Sequence, residues 1–402
     1  MTESAAQARV RDGRLWQELC DALREAGQLV LAKGSGEPLE RATDLRYLSE
    51  FLAAGINLCV AHADPDHPEL TRMMDLGVHW ALDSPDCLYL FAPLRSGVAY
   101  RLWGDPGSAN HMDIQVNAGH PGEGELRELR TLASIRGDTL PRAPDGSIEL
   151  FVGGAERPGA WLPAGPGARF LQIRQNFLDW ERERPADLFI ECIDPAGPLP
   201  RPATRAEEIA ARVELLCRWL TRGIRVWEEL GQAMLDREPN SLVAFSPPED
   251  GTHIGLKGQT NIQGNFRCEA DEAVVLELWP PPCLHWSISL ANRHWQAIDF
   301  VTRQSSLNAH QARLDADGAF RAVIAQRDPG VPNWLDPGGH AAGTVFGRFI
   351  LATGELKAPR TRRVPLAELR EELPRDTPFI SPDQREAVLR RRRNAAWRRY
   401  RR

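Results

Sequence analysis

The sequence lacks the motifs that identify the commonest cofactor-dependent enzymes. It has no glycine-rich phosphate loop and no dinucleotide-binding fingerprint. It also has no Gly-x-Ser-x-Gly elbow, which excludes the usual signature of an α/β-hydrolase. No apolar run reaches the roughly 20 residues that cross a bilayer. We therefore expect no nucleotide cofactor and no membrane insertion.

The chain is also poor in cysteine pairs. Its seven cysteines are scattered and form no Cys-x-x-Cys motif, which argues against a disulfide framework and against a zinc knuckle. The segment Met1 to Arg14 is polar and lacks the apolar core of a secretory signal. These features favour a reducing, cytoplasmic setting.

Charge is unevenly distributed. The net charge is −6, but the segment from Arg385 onward has nine arginines and one glutamate. This end carries +8, so the remainder carries −14. Such an end could bind nucleic acid or another anionic surface, or it could be a helix docking on the chain's own acidic body or on a second subunit. Because the acidic body would repel a polyanion, we favour docking, with a homo-oligomer through this helix left open.

Two stretches of the chain are nearly the same. The first runs from Asp145-Gly146 through Trp161-Leu162 to Arg174, and the second from Asp317-Gly318 through Trp334-Leu335 to Arg348. Glycine and tryptophan are 15 and 16 residues apart, and tryptophan and arginine 13 and 14. Repetition at matched spacing predicts a duplicated structural unit.

The periodicity predicts five regions in these 402 residues. Helical spacing of Leu15, Leu19 and Leu23 marks a first helix, and the same spacing marks a second over roughly 40–62. The turn ending at Pro68 predicts the start of a third helix over 68–81, since proline suits the first helical turn. Short strand candidates separated by Gly, Pro and Asn/Asp turns then form two β regions. Between them Thr204 and Glu207 form a capping box for a long amphipathic helix, and Ser381 and Gln384 do the same for a last helix. The predicted ranges are a helical region at 1–86, a first β-sandwich at 87–200, a connecting helix at 203–240, a second sandwich at 245–365 and a basic helix at 380–402.

The second β region contains a recognisable string of motifs. They are Asn292-Arg293-His294-Trp295-Gln296, Arg303-Gln304-Ser305-Ser306-Leu307-Asn308 and Pro332-Asn333-Trp334-Leu335-Asp336 with its downstream arginine. Together with Arg46-Tyr47-Leu48 and Asp64-Pro65-Asp66, they resemble the bacterial domain-of-unknown-function family 1214. The resemblance implies jelly-roll-like sandwich modules decorated by helices, and it implies no activity. The expected fold class is α+β and mainly β, with two modules from an internal duplication.

The second module gathers polar and aromatic side chains that suit a ligand pocket. The first copy has Ala160 and Pro163 where the second has Asn333 and Asp336, so we expect the site in the second copy. The candidate catalytic residues are His294, Asp299, Asp336 and His285. The candidate substrate-binding residues are Trp286, Trp295, Gln304, Asn308, Asn333, Trp334, His340 and Arg348.

Each candidate also has a structural interpretation. His294 and Asp299 could form an acid–base pair, or be surface or satisfied core residues. Asn333 and Asp336 lie in a turn-rich string and could simply cap turns. Arg348 could hold a carboxylate or phosphate, but its counterpart Arg174 equally suggests an ion pair to a repeated acid.

Clusters of possible metal ligands have no recognised spacing. His62, Asp64, Asp66 and His67 are better explained by a helix-entry turn, and His111 and Asp113 match no known site. Asp315-x-Asp317-Gly318 lacks the first calcium ligand and favours a tight turn. We expect no metal.

The leading functional hypothesis is an enzyme of lyase, isomerase, cyclase or hydrolase type. It would act on a lipophilic small molecule, such as a terpenoid, steroid or related acid, by acid–base or electrostatic catalysis in an aromatic pocket. The alternative is a non-catalytic protein that binds a similar small molecule or serves as a scaffold.

Overall fold

The computed structural model describes residues 4–34, 36–125, 128–194, 197, 199–246 and 255–401. The extreme ends of the predicted ranges 1–86 and 380–402 lie outside these residues. So do residues 195, 196 and 198, near the predicted end of the first sandwich, and residues 247–254, near the predicted start of the second.

Six α-helices occur in the described part of the chain. They are α1 Ala5–Arg11, α2 Arg14–Leu31, α3 Pro38–Ile56, α4 Ala206–Arg218, α5 Ile224–Leu235 and α6 Pro382–Tyr400. A π-helical turn, Asn57–Ala61, extends α3, and another, Trp219–Gly223, joins α4 to α5. Short 3₁₀ turns lie at Pro121–Glu123, Gly137–Thr139 and Leu366–Glu372. None of the helices formed by these residues has the length and apolarity that a membrane crossing needs.

Strands β1 to β9 build the first module. They are Thr71–Arg72, Cys87–Pro93, Ala99–Asp105, His111–Ala118, Arg130–Arg136, Ile148–Gly153, Trp161–Leu162, Ala168–Asn176 and Asp187–Asp194. One sheet has the order β1-β2-β8-β4-β5 and the other β7-β6-β3-β9.

Strands β10 to β18 build the second module. They are Leu242–Phe245, Gln259–Arg267, Glu272–Leu278, His285–Ala291, Ser306–Asn308, Phe320–Ile324, Trp334–Leu335, Ala342–Ile350 and Arg360–Pro365. Their sheets have the orders β10-β11-β17-β13-β14 and β16-β15-β12-β18.

The two modules have the same topology, which confirms the predicted fold class of paired sandwich modules with helices. Both copies of Asp-Gly form a tight turn whose glycine has φ of 85° or 77°, a left-handed conformation that favours glycine. Both repeated tryptophans lie on two-residue strands. Strand β7 pairs in parallel with β6, and β16 pairs in parallel with β15. Arg174 and Arg348 are each the seventh residue of a nine-residue central strand, β8 and β17.

Alternation along the strands sends side chains to opposite faces of each sheet. In β8, Leu171 and Ile173 join the apolar core between the two sheets of the first module. In β17, Val345 and Phe349 do the same in the second. The arginines therefore lie on the outer faces of the five-stranded sheets, beside the helices and the other module.

Two local predictions were wrong. Residues 68–81 form no helix, because their backbone pairs with the neighbouring strand: Met73 N–H donates to the Tyr89 carbonyl at 3.0 Å, and β1 falls in this segment. The capping box of α4 lies one residue later than predicted. Glu208, not Glu207, accepts the Arg205 N–H at 3.1 Å, and the helix begins at Ala206. The predicted box at Ser381 and Gln384 is present in α6.

The basic helix α6 packs on its own chain. Arg385, Arg392 and Arg399 are seven residues apart, so they share one face and are buried. Arg385 pairs with Asp328 at 2.8 Å, Arg392 donates to the Phe300 carbonyl at 2.6 Å, and Arg399 donates to the Pro85 carbonyl at 2.5 Å. Burial lowers the pKa of Arg392 to about 10. Three of the nine arginines from Arg385 onward therefore take part in tertiary packing.

We predict that Arg392→Met destabilises the fold by about 2–4 kcal/mol, because carbonyl and hydroxyl acceptors lose a buried donor. The control is Arg391→Met, at an exposed side chain that lies 3.8 Å from Glu181. It should change stability by less than about 0.5 kcal/mol. Urea unfolding of both variants measures these changes. Equal losses of stability in the two variants would show that the buried contacts of Arg392 do not stabilise the fold.

Candidate functional site

The structure does not gather the predicted residues into one pocket. His294 is fully buried and lies between two carboxylates. Its Nδ1 is 2.5 Å from Glu228 Oε1 and its Nε2 is 2.9 Å from Asp44 Oδ1. Its ring stacks on Tyr47 with centroids 4.4 Å apart. Arg293 completes the group by pairing with Asp44 at 2.6 Å. Both ring nitrogens are therefore engaged in linking α3, α5 and the second module.

Asp299 and Asp336 are turn residues. Asp299 accepts the N–H groups of Val301 and Thr302, each at 3.0 Å, and is not a hydrogen-bond partner of His294. Asp336 accepts the Gly338 N–H at 2.8 Å and pairs with Arg303 at 2.9 Å. The predicted His294–Asp299 pair is thus not brought together.

His285 and Asn308 surround a buried carboxylate of the first module, Asp86. Asn308 Nδ2 donates to Asp86 Oδ1 at 2.7 Å, as does the Trp180 indole. His285 Nε2 lies 3.8 Å from Asp86 Oδ2. Burial lowers the pKa of His285. This group joins the modules rather than facing a cavity.

Four further candidates have structural partners. Gln304 donates to the carbonyls of Pro332 and Trp334. Asn333 binds the backbone of Arg313 and Arg321. The Trp334 indole donates to the Ala325 carbonyl at 2.9 Å, and Trp286 packs in the second core against Phe320.

His340 and Asp299 border a small polar pocket of about 300 Å³ beside α3. Arg46 pairs with Glu50 at 2.6 Å and Arg303 with Asp336, while Asp299 accepts backbone N–H groups of its own turn. Burial lowers the pKa of His340. This pocket therefore offers few groups to a ligand.

Trp295 and Arg348 instead line a cavity of about 400 Å³ between the two modules. Arg174, the repeat counterpart of Arg348, lines it too. Its aromatic lining consists of Trp80, Tyr89, Trp227, Phe245, Trp295 and Phe346. Its amide lining consists of Gln172, Asn176, Gln259, Asn261 and Gln263. The described lining contains no Asp, Glu or His.

Backbone strain is concentrated at this cavity. Ala81, Leu82 and Trp295 have φ of 50°, 59° and 56°, the left-handed region that non-glycine residues rarely adopt. Leu82 N–H donates to the Trp295 carbonyl at 2.7 Å, so two of the three strained residues are bonded directly. Such conformations cost about 1–3 kcal/mol each and cluster at functional sites. The lining therefore has a feature that simple packing does not require.

Several buried polar atoms of the lining have no hydrogen-bond partner among the described residues. They are Arg348 Nη1, Trp227 Nε1, Trp295 Nε1 and Gln172 Oε1. Buried polar groups normally have partners, so unpaired ones require an explanation. Three of these four are donors, which suits a ligand that presents acceptors.

The two arginines have neutral partners rather than the repeated acid that the sequence suggested. Arg174 Nη1 donates to Gln115 Oε1, and Arg348 Nη2 donates to the Leu82 carbonyl. The Arg348 guanidinium lies 4.5 Å from the centroid of the Phe346 ring. No carboxylate of the described chain forms an ion pair with either arginine within 4.0 Å.

Two other lining groups are poor acids or bases at neutral pH. Burial raises the pKa of the Cys87 thiol to about 11 and raises that of the Tyr89 hydroxyl further. Asp113 lies outside the lining and opposite Arg174 in the β4–β8 register. Burial raises the pKa of Asp113 to about 6, although Arg174 opposes this.

A metal site is not formed by the described residues, in which no three His, Cys, Asp or Glu side chains are suitably grouped. His62 instead lies 2.9 Å from Glu69, and Asp64 pairs with Arg201 at 2.9 Å.

A larger apolar groove, about 940 Å³, lies beside the start of α6. Its described lining has neither strained non-glycine residues nor unpartnered buried polar atoms. We therefore place the candidate site between the modules.

Comparison with known proteins confirms the predicted resemblance. Residues 270–350 match the model of a protein family of unknown function, DUF1214. An uncharacterised protein from Burkholderia cenocepacia has 27% identity, with 90% of this chain and 99% of that chain covered and a TM-score of 0.84. A Vibrio parahaemolyticus protein has 12% identity, 86% and 100% coverage and a TM-score of 0.47. The comparison with curated proteins finds no match.

Sequence reasoning missed most of the cavity lining. It placed the site in the second copy, so it left out Arg174, and it did not predict β11, whose Asn and Gly residues are depleted in strands. The available signal was the repeat itself, since equivalent outer-face positions of two packed modules can meet at one place.

We predict that His294→Gln destabilises the protein by about 3–5 kcal/mol, because two buried carboxylates lose their common partner. Asp299→Asn, which keeps a turn-capping oxygen, should cost less than about 1 kcal/mol. Chemical unfolding compares the two. An unchanged unfolding midpoint in His294→Gln would show that the buried group is not needed for the fold.

Asp113 should make stability depend on pH. Its pKa is raised from 3.8 to about 6, so the folded state binds its proton more tightly. The resulting stabilisation is complete below about pH 4 and is lost as pH rises through 6. Asp113→Asn should therefore gain up to about 3 kcal/mol relative to wild type between pH 4 and 8.

Urea unfolding at several pH values measures this difference. The control is Asp138→Asn, at an exposed carboxyl whose pKa is lowered by the Arg136 side chain. This variant should lose stability relative to wild type as the pH rises, because it removes a carboxylate that the folded state favours. If the free energies of unfolding of wild type and Asp113→Asn change in parallel with pH, Asp113 does not have a raised pKa in the folded protein.

Proposed function

We propose that this protein binds a lipophilic small molecule in the cavity between its two modules. The observation that supports this best is that one lining combines strained backbone, aromatic walls and buried donors that have no partner in the described part of the chain.

The size and chemistry of the cavity fit such a ligand. A volume of about 400 Å³ lies in the range of small-molecule sites. Trp80, Trp227 and Trp295 offer flat apolar surfaces, and the last two also offer indole N–H groups. A ligand with an apolar body and a few acceptors would match this lining.

Binding is better supported than catalysis. A lyase, isomerase, cyclase or hydrolase working by acid–base chemistry needs a titratable group within reach of its substrate. The described lining has no carboxylate or histidine, and Tyr89 and Cys87 hold their protons at neutral pH. His294 and Asp299, the predicted catalytic pair, lie outside it. The non-catalytic binding function is therefore our conclusion.

We also propose the cytoplasm as the site of action. The cysteines form no disulfide in the described part of the chain, which fits a reducing compartment.

The test uses N-phenyl-1-naphthylamine, a neutral probe whose emission rises in apolar surroundings. Excited above the absorption of tryptophan, it should bind the wild-type protein at a single saturable site. Gln263→Trp, which fills the cavity from β11, should weaken binding about tenfold or more.

The control is Leu314→Trp, which adds a tryptophan at an exposed position of the same module and should leave binding unchanged. Absence of probe binding by the wild type, or equal binding by Gln263→Trp, would refute the proposed function.

A further inference from the structure

We propose that the ligand is an organic acid whose anionic group is bound jointly by Arg174 and Arg348, one arginine from each module. This inference rests on the proposed function and specifies its ligand class.

The duplication supplies the two cations at equivalent places. Each arginine is the seventh residue of its nine-residue central strand and points away from the sandwich core of its module. Because the modules meet at these outer faces, both guanidinium groups reach the same cavity. The charges of both also act on the hydroxyl of Tyr89, a third lining residue, lowering its otherwise raised pKa. The two guanidinium groups thus border the same cavity, one from each module.

Arg348 is positioned for a ligand rather than for an internal ion pair. The Leu82 carbonyl fixes Nη2, and the Phe346 ring lies under the guanidinium. Nη1 is buried and has no partner among the described residues. Leu82 has a left-handed backbone conformation, so the carbonyl that orients Arg348 belongs to a strained residue.

Arg174 is held in a comparable way. Its Nη1 donates to Gln115 Oε1, and Gln115 in turn donates from Nε2 to the Gly255 carbonyl at 2.8 Å. Neither partner has a charge. The guanidinium is therefore oriented without being neutralised by a direct ion pair.

The charge balance of the lining favours an anion. The described lining has two arginines and no carboxylate, and Asp113 makes no ion pair with Arg174 within 4.0 Å. A buried cation without a counter-ion is costly, whereas a guanidinium binds carboxylate, sulfonate or phosphate with two parallel hydrogen bonds. The aromatic walls require that this group be attached to an apolar body, which separates the expected ligand from a free inorganic ion.

The experiment compares two probes that differ by one anionic group. They are 8-anilinonaphthalene-1-sulfonate and its neutral analogue N-phenyl-1-naphthylamine. We expect the wild-type protein to bind the sulfonate about tenfold more tightly or better. Arg174→Gln and Arg348→Gln should each weaken sulfonate binding about tenfold and change binding of the neutral probe less than about twofold.

Two variants separate this effect from general ones. Arg391→Gln removes an equal charge from an exposed position and should leave both affinities unchanged. Arg348→Lys keeps the charge but not the two-pronged geometry, so it should retain part of the preference and also tests the proposal should Arg348→Gln unfold. Decanoate should displace the bound sulfonate at a concentration about tenfold lower than decanol requires, which extends the result to carboxylates.

The outcomes separate the two proposals. If both probes bind the wild type equally well, or the arginine variants weaken them equally, the acid specificity is wrong and the binding function stands. If neither probe binds, or Gln263→Trp does not block them, the proposed function fails and this inference fails with it.

Discussion

The fold depends on one constraint: the outer faces of the two five-stranded sheets have polar side chains, yet these faces are buried. A buried polar group must find a partner, since leaving it unpaired costs about 1–3 kcal/mol. Partners therefore come from distant parts of the chain. On such a face Asn308 of β14 meets Asp86, and buried polar groups beside the sheets do the same: Asp44 of α3 meets His294, and Arg392 of α6 meets the carbonyl of Phe300. The helices and the second module are held in place by these contacts as much as by apolar packing.

The same constraint divides the polar residues into two groups. Residues such as His294, Gln304 and Asn333 have their hydrogen-bonding groups engaged by the protein and hold elements together. Arg348 and Trp295 have donors that no described residue satisfies, and they lie beside a cavity where the backbone is also strained. An unusual cluster of polar side chains in a sequence is therefore not enough to define a site. What matters is which of them the folded protein leaves unsatisfied.

Much of the architecture was predictable from local patterns. Short strand candidates between Gly, Pro and Asn/Asp turns predicted the two β regions, which contain strands such as β2, β12 and β17, and the Ser381 capping box predicted the start of α6. The amide-rich strand β11 was missed, because its residues resemble a loop and only its neighbours make it a strand. Residues 68–81 were wrongly predicted as a helix from the proline at their start, because backbone pairing with β2 outweighed that local signal.

The sequence by itself determined the duplication, the sandwich class and the place of Arg174 and Arg348 on equivalent strands, because the period of two and the repeated turn are local properties. Tertiary structure alone decided that these arginines meet at one cavity while His294 and Asp299 do not meet. Those outcomes depend on contacts between residues far apart in the chain, such as Arg348 with Leu82 and His294 with Asp44. The physical reason is that local periodicity fixes the face on which a side chain lies, whereas the packing of whole modules fixes what that face contacts.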